Sequence, residues 1–296
     1  MALRVANGPV SWGVDLPDKP GAPPWEEVFS EISEAGYRWC ELGPLGFLPD
    51  DDERVRAELA ARGLGVAGSY VFEPVHDPAR HDELAAITRL TCGRIAGLGG
   101  SYLVIIDMVN EERGATAGRS DAARRLEGPA YQDFLRGLRL VAAIAIEHGL
   151  TPVLHPHVGS TVEFEDEVER ILDDTEADGV QLCIDTGHFA YAGIEPVRFL
   201  ADHRDRALYL HFKDVDPVVH ERVLADGVAF FDAVALGVFC PVGTGVVDFG
   251  ALAAELANGF DGPGTIEQDR DFRSQTTALE DARASLEYLR GLGLAD

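Results

Sequence analysis

Positive charge is scarce in this sequence: 25 Lys and Arg stand against 51 Asp and Glu, a formal net charge of −26 over 296 residues. A field of that sign repels phosphate backbones and anionic headgroups, so neither nucleic acid nor a membrane surface is an expected partner. Long apolar runs are missing as well. No stretch reaches the roughly 20 uninterrupted apolar residues of a membrane span, and Met1-Ala2-Leu3-Arg4 opens no apolar export segment, so the expected location is the cytoplasm. Cysteine is sparse too. Cys40, Cys92, Cys183 and Cys240 lie far apart with no C-x-x-C spacing; they read as small buried hydrophobes in a reducing compartment, which argues against a disulfide framework or a thiolate metal site.

Apolar residues make up 46% of the chain, enough for a sizeable core, and their periodicity alternates. Strands are predicted at 4–12, 37–42, 65–72, 102–107, 151–157, 180–185, 207–212 and 264–267. Helices are predicted at 25–35, 53–62, 81–98, 129–148, 165–174, 196–203, 248–258 and 275–290, several of them stopped by a glycine such as Gly36, Gly63 or Gly149. No composition break or linker divides residues 1–296. Eight alternating βα units predict an α/β protein with a parallel sheet, closed as a single (β/α)8 TIM barrel. Loop insertions are expected at 109–127 and 214–247; the second holds Val228-Ala229-Phe230-Phe231, suited to a lid or to contact in a homo-oligomer, and the glycine-rich Pro241-Val242-Gly243-Thr244-Gly245. An open doubly wound sheet would call for a phosphate-binding glycine loop after the first strand, and Gly8-Pro9-Val10-Ser11-Trp12-Gly13 does not match one.

Such barrels draw their working groups from the C-terminal ends of the strands. There this chain places Val153-Leu154-His155-Pro156-His157, Cys183-Ile184-Asp185-Thr186-Gly187-His188, Tyr209-Leu210-His211-Phe212-Lys213 and Thr265-Ile266-Glu267-Gln268-Asp269. Side chains alternate along a strand, so His155 with His157, Cys183 with Asp185, His211 with Lys213, and Glu267 with Asp269 share faces. The step from His155 to Asp185 is 30 residues and that from Asp185 to His211 is 26, each close to one βα unit. Two carboxylates and one or two imidazoles form a mixed nitrogen and oxygen donor set, suited to Mn²⁺, Co²⁺, Fe²⁺ or Zn²⁺. Taken singly, each residue also has a plain structural role, as a turn residue, an N-cap or a hydrogen-bonded rim histidine. Lys213 is either a salt-bridge partner of Asp214, Glu41 or Asp107, or a catalytic cation. Glu41 is a candidate second acid or base, and His188 a candidate outer partner, ligand or substrate contact. Trp12, Asp107 and Gln268 are candidate substrate contacts, and His76, His81, His148, His203 and His220 read as surface residues.

Asp185-Thr186-Gly187-His188, His211-Phe212-Lys213-Asp214 and Glu267-Gln268-Asp269 resemble the xylose-isomerase-like barrel superfamily, which holds sugar isomerases, epimerases and the endonuclease IV repair enzymes. A narrower resemblance, to the inosose (2-keto-myo-inositol) dehydratases, is carried by Pro9-Val10-Ser11-Trp12-Gly13, Glu41-Leu42-Gly43, His155-Pro156-His157-Val158-Gly159, the run from Asp185 to Gly193, Gly237-Val238-Phe239-Cys240-Pro241 and Val247-Asp248-Phe249. The resemblance implies metal ligands at Asp185, His211 and Glu267. A histidine, His155 or His157, stands where most of the superfamily has a glutamate. It also implies a manganese or cobalt enzyme, with zinc or iron as further candidates, that removes water from a polyhydroxylated cyclic ketone. His157 or a carboxylate is then the base, with Lys213 and His188 steadying charge or delivering a proton. Isomerisation or epimerisation of a sugar is the alternative outcome of the same enolate chemistry. DNA cleavage at abasic sites is disfavoured by the net charge, and a sugar-binding barrel without a metal by the intact ligand positions.

Overall fold

The computed structural model describes residues 2–271 and 277–296. Eight parallel strands close into a barrel in sequence order: β1 (Val5–Asn7), β2 (Trp39–Glu41), β3 (Gly65–Glu73), β4 (Tyr102–Asp107), β5 (Thr151–Leu154), β6 (Gln181–Asp185), β7 (Ala207–Phe212) and β8 (Gly264–Ile266), with β1 pairing both β2 and β8. The expected single barrel is the one observed. β4 shows why the pattern was readable: Leu103 to Asp107 are buried without a break, as a strand covered on both faces requires.

Inside the barrel, Ala6, Tyr70, Val104, Ile106, Val153, Cys183 and Tyr209 form one layer of core, and the strand-to-helix interface outside forms the larger one. The alternation therefore points as expected, with Cys183 and Tyr209 beneath Asp185 and His211. Helices start where side chains cap them. Asp51 accepts from Arg54 N at 3.0 Å, Asp248 from Ala251 N at 2.9 Å, and Thr277 caps the last helix, Ala278–Gly291. The predicted start of that helix at Gln275 lies outside the described residues.

Strand ends are where expectation and structure part. The first predicted strand, 4–12, stops at Asn7, because Pro9 at the head of a 3₁₀ turn over Pro9–Trp12 has no N–H for a ladder. The fifth, 151–157, stops at Leu154; His155 still donates its N–H to Ile105 O at 2.9 Å, and Pro156 then ends the ladder. The insertions are not simple loops. Residues 109–127 hold a helical turn at Glu111–Gly114. Residues 214–247 contain an antiparallel hairpin, Asp214–Val215 with Phe239–Cys240, around helices Pro217–Asp226 and Phe230–Ala235. Ala117, Val158, Tyr191, Val215, Val223, Phe230 and Phe239 join these segments in a second, smaller core above the C-terminal face of the barrel. Phe230, 2% exposed, is thus packed, while Phe231 stands 53% exposed at the rim.

Candidate active site

Parallel register brings the strand ends together. Asp185 pairs with His211 and His211 with Thr265, so Glu267 follows one alternation later on the same side. His155, Asp185, His211 and Glu267 are all buried, and one donor atom from each lies within 4.8 Å of the others. His155 Nε2 and His211 Nδ1 stand 3.3 Å and 3.6 Å from Asp185 Oδ2, and His211 Nδ1 is 3.2 Å from Glu267 Oε2. His157 belongs to a neighbouring group with His188 and Asp269.

The imidazole of His211 is oriented by a carboxylate behind it. Its Nε2–H donates to Glu41 Oε1 at 3.1 Å, and the same oxygen accepts from Tyr209 Oη and Thr265 Oγ1, each at 2.8 Å. Nδ1 faces Asp185 and Glu267 with no hydrogen-bond partner among the described residues; His155 Nδ1 is likewise without one. Burial alone would lower the pKa of His211, yet the Cys183 sulfur and the carboxylates of Glu267 and Glu41 raise it well above the ordinary histidine value, so this face of the ring draws positive charge. Two imidazoles, two carboxylates, orphaned ring nitrogens and an outer carboxylate on one histidine fit a mid-series divalent ion such as Mn²⁺, Co²⁺, Fe²⁺ or Zn²⁺.

Lys213 lies completely buried beside this group. Its expected partners Asp214, Glu41 and Asp107 are not the ones it meets: Nζ donates to Glu267 Oε2 at 2.8 Å and Asp269 Oδ1 at 3.1 Å, and stands 3.0 Å from His188 Nε2 and 3.2 Å from Asp185 Oδ2. The ammonium thereby sits among three carboxylates and one imidazole nitrogen. Burial opposes the charge, but Asp185, Asp269 and Glu267 outweigh it and push the lysine pKa up. In turn Lys213, against the effect of burial, holds Asp185, Glu267 and Asp269 below the ordinary carboxylate range. The lysine stem passes over Gly187, where a Cβ would come within 2.5 Å of Lys213 Cγ; only glycine fits that turn.

His188 follows in a short helix, Thr186–Tyr191, capped by Asp185 Oδ1 accepting from His188 N at 2.8 Å. Val158 N donates to its Nδ1 at 3.2 Å, and its Nε2 stands 3.0 Å from Lys213 Nζ and 3.3 Å from Asp269 Oδ2. His157, stacked on it at 3.9 Å between ring centres, donates Nδ1–H to Val158 O at 2.9 Å and leaves the Nε2 lone pair free. Burial, followed by the charges of His188, His155 and Lys213, holds His157 well below the ordinary histidine value, as a neutral base.

A cavity of about 350 Å³ opens over the site. His157, Glu267 and Asp269 reach its surface, facing an apolar wall that includes Phe72, Ile106, Phe230 and Phe231. Trp12 and Gln268, expected to contact substrate, do not line it. The Trp12 ring packs in the outer core with its indole N–H on Glu31 at 2.6 Å, and the Gln268 amide reaches Phe239 O at 3.4 Å. Asp107 is also engaged elsewhere. It accepts from His76 Nδ1 at 2.8 Å and Thr161 Oγ1 at 2.5 Å, and so ties down the loop that follows His157. His76 is therefore a partner of that carboxylate and not a free surface residue. Glu41 is buried behind His211 and does not line the cavity. Asp269, which shares a strand face with Glu267, is a further site residue that the alternation alone could have assigned.

Known proteins match most of the chain. Residues 29–292 match the model of the xylose isomerase-like TIM barrel. An inosose dehydratase of Geobacillus kaustophilus is 30% identical over 86% of this chain and 83% of its own length, and the rhizopine catabolism protein MocC of Rhizobium meliloti is 31% identical over 92% and 83%. Among solved structures, the IolI protein with a bound zinc atom superposes with a TM-score of 0.73 at 16% identity over 98% of both chains. With the sequence-ordered parallel barrel and the polar groups gathered at the ends of its later strands, this match shows that the chain belongs to the xylose isomerase-like TIM barrel family.

Proposed function

We propose that this protein is a metal-dependent hydro-lyase that removes water from a polyhydroxylated cyclic ketone, with 2-keto-myo-inositol as the substrate of choice. The observation that carries the reading is the buried group His155, Asp185, His211 and Glu267 beneath a cavity whose wall presents a free imidazole nitrogen, His157 Nε2. The relatives named as inosose dehydratases support the substrate class. His155, Asp185, His211 and Glu267 are the residues to hold a divalent ion, Mn²⁺ or Co²⁺ foremost, and the ion supplies Lewis acidity toward a carbonyl oxygen.

The remaining chemistry falls to the chain. His157 Nε2 accepts the proton α to the ketone, the one free lone pair among the imidazoles at the cavity surface. Lys213 and His188 are committed to carboxylates and backbone, so they hold charge and shape. The proton now on His157 is the one available to the departing β-hydroxyl, which leaves as water. The apolar wall of Phe72, Ile106, Phe230 and Phe231 excludes solvent and offers a face to the C–H side of a ring. Location in the reducing cytoplasm fits four cysteines that all remain thiols.

Incubation of the purified protein with 2-keto-myo-inositol and, separately, with ketohexoses tests the reading. Formation of a conjugated, dehydrated dione is expected from the first. Isomer exchange without loss of water would instead establish the epimerase outcome.

A further inference from the structure

Beside the four-residue group lies a second set of metal-competent atoms, from His157, His188 and Asp269, again within 4.8 Å of one another. Between the two sets sits a single atom, Lys213 Nζ. Three carboxylate oxygens, one from the end of β6 and two from the segment beyond β8, converge on it at 2.8–3.2 Å: Asp185 Oδ2, Glu267 Oε2 and Asp269 Oδ1. A fourth donor stands near, because His157 Nε2 has no hydrogen bond among the described residues and the residue is only 9% exposed. His188 Nε2 also faces the ammonium, 3.0 Å from Nζ, while its Nδ1 accepts from Val158 N. Lysine itself is rare here; the chain has only Lys19 and Lys213.

We infer that the Lys213 ammonium occupies what is otherwise a second divalent-cation site, lined by Asp185, Glu267, Asp269 and the His157 lone pair, and so keeps the centre mononuclear. This rests on the reading of His155, Asp185, His211 and Glu267 as the first metal site. The charges favour it. Three carboxylates, Asp185 and Glu267 buried and Asp269 half-buried, are balanced by one divalent ion and one ammonium; without the ammonium, one ion leaves an uncompensated anion in a low-dielectric site, and a second cation is the group that corrects it. A protein with one ion and a fixed ammonium can polarise one oxygen but cannot clamp two across a phosphoryl group, which separates this centre from two-metal hydrolysis.

The test is metal stoichiometry. The wild-type chain and Lys213→Met, both checked for native circular dichroism, are dialysed against Mn²⁺ or Zn²⁺ and counted by elemental analysis and calorimetric titration. Lys213→Met is expected to bind one more ion per chain than wild type, and Lys213→Met combined with Asp269→Asn to lose that extra ion. Lys213→Arg, which keeps the charge, should bind the wild-type number. Should Lys213→Met not fold, Lys213→Gln, which keeps a donor for Glu267, takes its place. A wild type that takes up two ions, or a folded neutral variant that takes up no more than wild type, overturns the inference. A wild type that binds none sinks the first-site reading instead, while the increment between wild type and variant still decides this one.

Discussion

The strands of the first half of the barrel end in Asn7, Glu41, Glu73 and Asp107; those of the second half end in or run on to His155, Asp185, His211 and Glu267. Both sets are polar and sit at the same rim, yet the carboxylates Glu41 and Asp107 of the first are treated differently from the second set, while Asn7 Nδ2 is buried with no hydrogen bond among the described residues. Glu41 accepts three hydrogen bonds from Tyr209, Thr265 and His211, and Asp107 is filled by His76 and Thr161. In the second half, by contrast, His211 Nδ1 and His155 Nδ1 are buried with no bond among the described residues, and the carboxylates are held charged by a lysine. A polar group whose capacity is filled by the protein's own donors is scaffold; one left open where burial makes that costly is where a ligand belongs.

The comparison is broken most sharply by Glu267→Gln. Removing one anionic ligand should abolish stoichiometric metal binding and lower turnover by at least about 10³-fold, the several kcal/mol that Lewis-acid assistance contributes. Metal content and dehydration rate measured on the same preparation check this, and retention of both would falsify the ligand role. Glu41→Gln probes whether the first half reaches across to the second. With the carboxylate behind His211 neutralised, metal affinity should fall about 10–100-fold while the fold persists. Competition with a chromophoric chelator reads this out, and an unchanged affinity would show that Glu41 does not orient the ring.

Asp107→Asn sharpens the other side of the comparison, with the smallest effect. The hydrogen bond to Asp107 raises the pKa of His76 against the effect of burial, aided by the charges of Asp107 and Asp77. A raised folded-state value means the pair stabilises fully below the unfolded histidine pKa near 6.5 and loses its contribution as pH rises through the folded value. The half-buried partner limits the gain to about 1 kcal/mol. Urea denaturation should therefore show a larger gap between wild type and Asp107→Asn at pH 5.5 than at pH 9. A gap independent of pH would mean that Thr161, not His76, is the partner that matters.

Much of this was legible because it is periodic. Tyr102–Asp107 and Glu165–Asp174 lie where the apolar pattern put them, and the face shared by Tyr209, His211 and Lys213 does turn inward. Expectation failed where tertiary partners decide. Nothing local says that Lys213 pairs with Glu267 and Asp269, or that Tyr209 meets Glu41 across 168 residues. Trp12, a candidate substrate contact at the end of the predicted strand 4–12, lies instead in a 3₁₀ turn headed by Pro9, with its ring in the outer core. The choice between His155 and His157 was open in the sequence because both lie on one strand face. Their ring centres lie 5.6 Å apart, with His155 continuing the ladder and grouped with Asp185, His211 and Glu267, and His157 in the loop grouped with His188 and Asp269.

Asp214, the residue after the buried lysine, accepts backbone N–H groups from Val215, Gly243, Gly245 and Val247 at 2.8–3.0 Å through its two oxygens. At Gly245 a Cβ would fall within 2.4 Å of that carboxylate. One side chain thus fastens both ends of the 214–247 segment, and it does so independently of what lies between them. The span between those anchors carries Phe230, whose ring lies 5.1 Å from that of His157 and 5.9 Å from that of His188, so the cover of the cavity is also a wall that fixes the imidazoles beneath it.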